Sequence, residues 1–427
     1  MIELHAAFLL VVVGTEAFFS AISLVNYRYG ARTVRAEQEW VRERIGIEDV
    51  DELLDYQRAK TGLSLVRSWV GLAGVLLVLY SGLFGDAVAA VESLPLPPLA
   101  RGVAFFLGVI ALSRIVGAPF DLYDTFVVEE LFGFNEQSPR LWLRDLLVGT
   151  AVALVITAAV AGALLAVIDA LPGLWWLAAV GLFLAFSLSM QVLYPRVIAP
   201  LFYDFDPIDE GDLAEAVDDV FERAGFRCDQ TYVMDASSRS SHSNAFFAGF
   251  GKTKRVVLFD TLVDQMSLEQ IESVLAHELA HWKKAHIWKQ LASSTLRMGV
   301  VFGLLWLLLD QPWLYDLFGA EQTVYAGLTL AALWVVPLMR WSAPLSHKVS
   351  LKHEREADSF AVEVMGESES LSDALANLTS ENLSNPFPHP LYATFHYDHP
   401  PIPERIRYIE RQSGDGPSEG SAGQPAD

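Results

Sequence analysis

Residues 277–309 read HELAHWKKAHIWKQLASSTLRMGVVFGLLWLLL, a charged segment bearing paired histidines that runs straight into an apolar one. The apolar half, Leu291–Leu309, is nearly long enough to cross about 30 Å of hydrocarbon, which takes roughly 20 helical residues. Six more runs have the same character: Ala6–Val25, Ser68–Gly85, Gly102–Phe120, Leu146–Ile168, Leu171–Tyr194 and Gln322–Met339. One such run could be a buried core helix. Seven in one 427-residue chain that is 52% hydrophobic and only 19% charged point to a polytopic membrane protein. The first run lacks a basic leader and contains Glu16, so it reads as a span and not as a cleaved signal.

Basic residues test the spans independently. Asn26–Arg67 carries Arg28, Arg32, Arg35, Arg42, Arg44, Arg58, Lys60 and Arg67, whereas Asp86–Ala100 carries none. Asp121–Arg144 carries Arg140 and Arg144, and Asp169–Ala170 none. Pro195–Gln290 is rich in both basic types, Asp310–Glu321 has neither, and Arg340, Lys348 and Lys352 follow the last run. That alternation predicts seven spans with the N-terminus outside and the C-terminus cytosolic. Glu16, Arg114 and Arg297 fall deeper within spans, where ionisable groups face a partner or an aqueous interior.

The net charge of −22 argues against a nucleic-acid partner. An acidic surface with few lysines suggests a salt-loving source, and the cell membrane as the location if that source is a prokaryote. The single cysteine, Cys228, excludes an internal disulfide and a cysteine-cluster metal site.

The expected organisation follows. Residues 1–194 hold spans one to five with cytosolic loops 26–67 and 121–145, the former helical. Residues 195–290 form a cytosolic insert, 291–345 hold spans six and seven, 346–412 complete the soluble domain, and 413–427 are a disordered tail. In the insert, Gly211–Ala224 predicts an amphipathic helix, Gln230–Met234, Asn244–Ala248 and Arg255–Phe259 predict strands, and Ser267–His286 a helix opened by Ser267. Val349–Met365 and Pro403–Gln412 are expected to be helical.

The chemistry lies in His277-Glu278-Leu279-Ala280-His281. On a helix, residues i and i+4 share a face, so both imidazoles can hold one zinc ion, with Glu278 placed to take a proton from the attacking water. A catalytic zinc needs a third protein ligand and an open position. The long histidine-rich form of the motif is excluded, because Lys284 and Ile287 stand where it needs glycine and histidine. His286, five residues after His281 on a continuous helix, points away from the His277 face. Glu354 is the better third ligand, since Asp358 one turn later can steady a ligand histidine from behind. Glu356 competes with it but has no acid four residues on. Hydrolysis needs water, so a hydrated chamber at the cytosolic end of the bundle is implied.

With these residues in view, the chain resembles the type I CAAX prenyl endopeptidases, integral membrane zinc metallopeptidases. The resemblance rests on Phe132-Gly133-Phe134-Asn135, on Ser241–Phe247 followed by Lys254–Leu262, on Glu354 with Ala357-Asp358, and on His396–Pro401 with Glu404-Arg405-Ile406. It implies seven membrane helices forming a barrel around a water-filled chamber, closed by a cytosolic α+β zinc domain. It implies one zinc per chain on His277, His281 and Glu354, with Glu278 as general base. His399 and Arg405 would contact the substrate and its oxyanion. Asn244 and Ala245 would lie on an edge strand that pairs with the substrate backbone, a mode any exposed strand edge permits. The expected substrate is a peptide or lipidated protein at the bilayer, cut near a prenylated C-terminus. The alternatives are a quality-control metalloprotease of broad specificity and, from another class, a seven-helix transporter or receptor without catalysis.

Overall fold

The computed structural model describes residues 1–228, 230–249 and 254–412; the tail expected beyond residue 412 lies outside the described residues. The chain divides into two compact units. The first comprises Met1–Val25, Arg58–Phe202 and Trp288–Pro344, and the second Asn26–Gln57, Tyr203–Ile287 and the chain from Leu345 onward.

The first unit is helical. Its long elements are α1 (Ile2–Ala36), α2 (Val50–Tyr80), α3 (Pro98–Tyr123), α4 (Pro139–Ala170) and α5 (Trp175–Leu193). Proline at the first turn of α3 and α4 suits positions whose N–H groups have no helical acceptor. Ser138 caps α4 through the Leu141 amide. The predicted second span stops early, because Gly82 at φ +86° turns the chain after Tyr80. The predicted first span does the opposite. Nothing breaks α1 at Val25, and the helix continues through the basic residues to Ala36. Phe8, Leu79, Phe105, Trp175 and Leu330, from five different helices, are among the buried side chains of the first unit.

The second unit carries β1 (Phe205–Pro207), α6 (Asp212–Arg223), β2 (Thr231–Met234), β3 (Ala245–Ala248), β4 (Arg255–Phe259) and α7 (Leu268–Lys283). α8 (His286–Leu309) and α9 (Val324–Arg340), which fall almost wholly in the first unit, are followed by α10 (Ala343–Met365), α11 (Glu369–Glu381), α12 (Pro390–His396) and α13 (Ile402–Gln412). The strands order β1-β2-β4-β3, with β2 and β4 parallel and both outer pairs antiparallel. β3 is therefore an edge strand. Ser267 caps α7 with a reciprocal Gln270 contact. Ile271, Leu275 and Leu279 recur at every fourth residue of α7 and pack with Val217, Val220 and Phe221 of α6 and with Leu258 of β4. That burial fixes the rotation of α7 about its axis, each fully buried side chain contributing about 1.5–3 kcal/mol.

Among the described residues, six helices are long and apolar enough to span a membrane. A seventh is reached if α9 and α10, parted by a short break, count as one span.

Candidate metal centre and catalytic site

α7 presents His277 and His281 on one flank, because its other flank is committed to the core. The two Nε2 atoms lie 3.3 Å apart. From α10, Glu354 places Oε2 3.4 Å from His277 Nε2 and Oε1 3.4 Å from His281 Nε2. These edges can be tested against a metal. Zinc bonds of about 2.0–2.1 Å in tetrahedral geometry set ligand–ligand edges of about 3.3–3.4 Å. The Nε2–Nε2 edge matches, the two Glu354 oxygens each stand at that edge length from one of the histidines, and one ligand atom from each of the three residues lies within 4.8 Å of the others. Two imidazoles and a carboxylate form a donor set that suits a catalytic zinc. The residues fit the ion.

Behind His277, its Nδ1 lies 2.9 Å from Asp358 Oδ1. Asp358 is fully buried. Arg405, on α13, donates to both oxygens of that carboxylate, with Nε at 3.1 Å and Nη2 at 2.5 Å. Burial works against charge on His277, but hydrogen bonds to Asp358 and Glu354 outweigh it and push the imidazole up to about 9. His281 goes the other way. Burial, and next the His277 charge, bring it down to about 3. Burial likewise raises the Glu278 carboxyl, with the His277 charge opposing and Glu354 adding to the rise. For Arg405, burial opposes the charge and Asp358 more than restores it.

His399 is the exposed member. Its Nδ1 lies 2.5 Å from Glu354 Oε2, and its side chain is 53% accessible. Arg405 is only 7% exposed, and its guanidinium is turned to Asp358 and to within 3.4 Å of His277 Nδ1. The contact the structure gives Arg405 is thus behind the metal ligand, where a buried guanidinium has a carboxylate at close range.

Asn244 is exposed and precedes β3, while Ala245 opens that strand opposite Leu258. The Asn244 side chain accepts from the Ala245 amide at 2.8 Å, and its carbonyl accepts from Phe259 N–H at 3.1 Å. The preceding residues anchor the strand. His242 Nδ1 lies 2.8 Å from Asn382 Oδ1, and buried Ser243 bonds Gln265. β3 also contacts α7.

One expectation about the neighbouring residues needs correction. His286 does not point away, since the helix is broken before it, at Ala285. Glu356, the competing acid, stays outside the trio and meets His286. Periodicity could not reveal the turn of His286, because it depends on one backbone break.

The ionisable residues of the membrane helices are also placed. Glu16 Oε2 pairs with Arg340 Nη1 at 2.8 Å, Arg297 donates to the Met339 carbonyl at 3.0 Å, and Arg114 is exposed.

Comparison with known proteins agrees with this geometry. Residues 31–204 match the profile described as CAAX prenyl protease N-terminal, five membrane helices, and residues 207–413 match peptidase family M48. A rice protein named CAAX prenyl protease 1 homolog is 38% identical over 312 residues, covering 72% of this chain and 73% of its own. The Saccharomyces cerevisiae protein named CAAX prenyl protease 1 is 31% identical over 423 residues, covering 92% and 93%. The crystal structure of S. mikatae Ste24p superposes with a TM-score of 0.80 at 28% identity, covering 93% of this chain and 99% of that one. These relatives are eukaryotic and lend no support to a salt-loving or prokaryotic source. A transporter or receptor without catalysis is set aside by the same matches. The chain belongs to peptidase family M48, as a multi-pass membrane metalloendopeptidase of the CAAX prenyl protease 1 type.

Proposed function

We propose that the chain is a zinc endopeptidase acting near the C-terminus of prenylated CAAX-type or other membrane-associated proteins, with one zinc per chain. The observation that carries the zinc reading is the convergence of His277, His281 and Glu354, whose imidazole nitrogens lie 3.3 Å apart with one carboxylate oxygen 3.4 Å from each. Zinc, when bound, supplies Lewis acidity toward the scissile carbonyl and the attacking water.

The chain's own residues do the rest. His277, His281 and Glu354 hold the ion. Glu278 takes the proton from the attacking water and returns it to the leaving amine, a role suited to a carboxyl that burial raises above the usual carboxylate range. Asp358 accepts from His277 Nδ1–H, which leaves Nε2 as the lone-pair nitrogen, and Arg405 holds Asp358 in place. His399, exposed beside Glu354, donates to the developing oxyanion. Asn244 and Ala245 present the edge of β3 to an extended substrate, whose backbone adds as a further strand. The loop-to-loop alternation of basic residues supports an outside N-terminus and a cytosolic catalytic unit.

The test is hydrolysis of a farnesylated C-terminal peptide beside its unprenylated twin, with and without a chelator. Chelator-sensitive cleavage favouring the farnesylated peptide is expected. Equal cleavage of both peptides would transfer the assignment to a protease of broad specificity, and chelator-resistant cleavage would remove zinc from the mechanism.

A further inference from the structure

α7 closes at Lys283, and Ala285 follows at φ +57°, in the left-handed region, before α8 opens with His286. On an uninterrupted helix, the fifth residue after His281 would be turned ~140° away from it. The break swings it back. His286 is fully buried, and its Nδ1 lies 3.2 Å from Nδ1 of His281. The two rings meet edge to face at 5.2 Å. The other His286 nitrogen, Nε2, lies 3.0 Å from Glu356 Oε2. Glu356 stands on α10, two residues from Glu354 and two from Asp358.

The ends of this chain of contacts fix the direction of its hydrogen bonds. His281 turns Nε2 toward His277 and Glu354, so its Nδ1 carries the hydrogen and donates it. His286 Nδ1 must then accept, which leaves the His286 hydrogen on Nε2, facing a carboxylate that can only accept. One tautomer of each ring satisfies these contacts.

We propose that His286 and Glu356 are positioning residues for His281, a relayed carboxylate–histidine–histidine support that sets its tautomer and ring angle for the metal. This rests on the reading of His277, His281 and Glu354 as the metal-binding trio. The two ligand histidines then have matching supports. Asp358 holds His277 directly, while Glu356 holds His281 through the His286 ring. All three carboxylates come from one stretch of α10, so the rotation of that helix sets the ligand and both supports together.

The experiment measures the zinc dissociation constant of the full-length purified protein by competition with a chromophoric chelator, alongside the thermal midpoint of the metal-free form. His286→Phe keeps a ring and removes both nitrogens, and should weaken zinc binding by about 10–100-fold. His286→Gln can accept with its oxygen and donate with its amide, and should recover most of that loss. Glu356→Leu, at a half-exposed position, should weaken binding in the same sense and decides the matter if His286→Phe does not fold. Wild-type affinity in Glu356→Leu, or a His286→Gln as weak as His286→Phe, would overturn the proposal. His277→Ala serves as the control and should lose zinc. If it binds like the wild type, or if the wild type binds none, the metal-trio reading itself falls.

Discussion

Arg405 grips Asp358 with two nitrogens, Nε at 3.1 Å and Nη2 at 2.5 Å, and Asp358 in turn meets Nδ1 of His277 at 2.9 Å. The pair is buried, so removing one partner strands a charge in a medium that solvates it poorly. Asp358→Ala should cost about 3–5 kcal/mol. A thermal unfolding series in detergent checks this, and a midpoint unchanged from wild type would count against it. Asp358→Asn keeps one acceptor and should lie between.

Glu278 is the proposed general base but is not among the three ligand residues. Glu278→Gln should keep bound zinc at wild-type stoichiometry and lower the turnover number by at least about 10²–10⁴-fold. Metal analysis beside a peptide-cleavage assay reads both. Full activity in this variant would end the role of Glu278.

Metal binding should release protons. In the metal-free chain His277 is held up to about 9, so at pH 7.5 it carries a proton that the ion must displace. His281, down at about 3, is already neutral there and contributes none. The sign is release, and zinc affinity should therefore fall as the pH is lowered from 9. Zinc added to apo protein in weak buffer with a pH indicator should acidify it, and a response no larger than that of His277→Ala would contradict the assignment.

Ala285 occupies a left-handed conformation at φ +57°. A Cβ there costs roughly 1–2 kcal/mol, part of which glycine would recover. Ala285→Gly should raise the thermal midpoint, while Ala285→Val, with a branched Cβ, should lower it and weaken zinc binding through His286. A lower midpoint for the glycine variant would show that the turn is not strained.

Glu16 and Arg340 pair at 2.8 Å, and the Arg340 guanidinium also lies 3.8 Å over the Phe19 ring. Removing one charge should cost more than removing both. A cycle of Glu16→Leu, Arg340→Leu and the double variant, followed by thermal stability, should show the double variant more stable than the sum of the singles implies.

The amino-acid sequence determined whatever depends on neighbours along the chain. Seven apolar runs announced the membrane helices because burial in hydrocarbon demands long unbroken apolar stretches. The i, i+4 spacing of His277 and His281 put two imidazoles on one face of whatever helix formed there, and alternating residues marked three of the four strands. Glu354 could be preferred over Glu356 because Asp358 lies one turn beyond it. The tertiary structure decided the rest. Residues 354 and 356 leave a helix in nearly opposite directions, and only the packing of Ala357, Phe360 and Ala361 on α10 sets which of them meets α7. The bond of Arg405 to Asp358 behind His277 could not be read from spacing, since the two residues are 47 apart in the chain. His286 turns inward through one left-handed residue that no periodicity encodes. Local spacing fixes which side chains share a face, but which faces meet is a property of the assembled core.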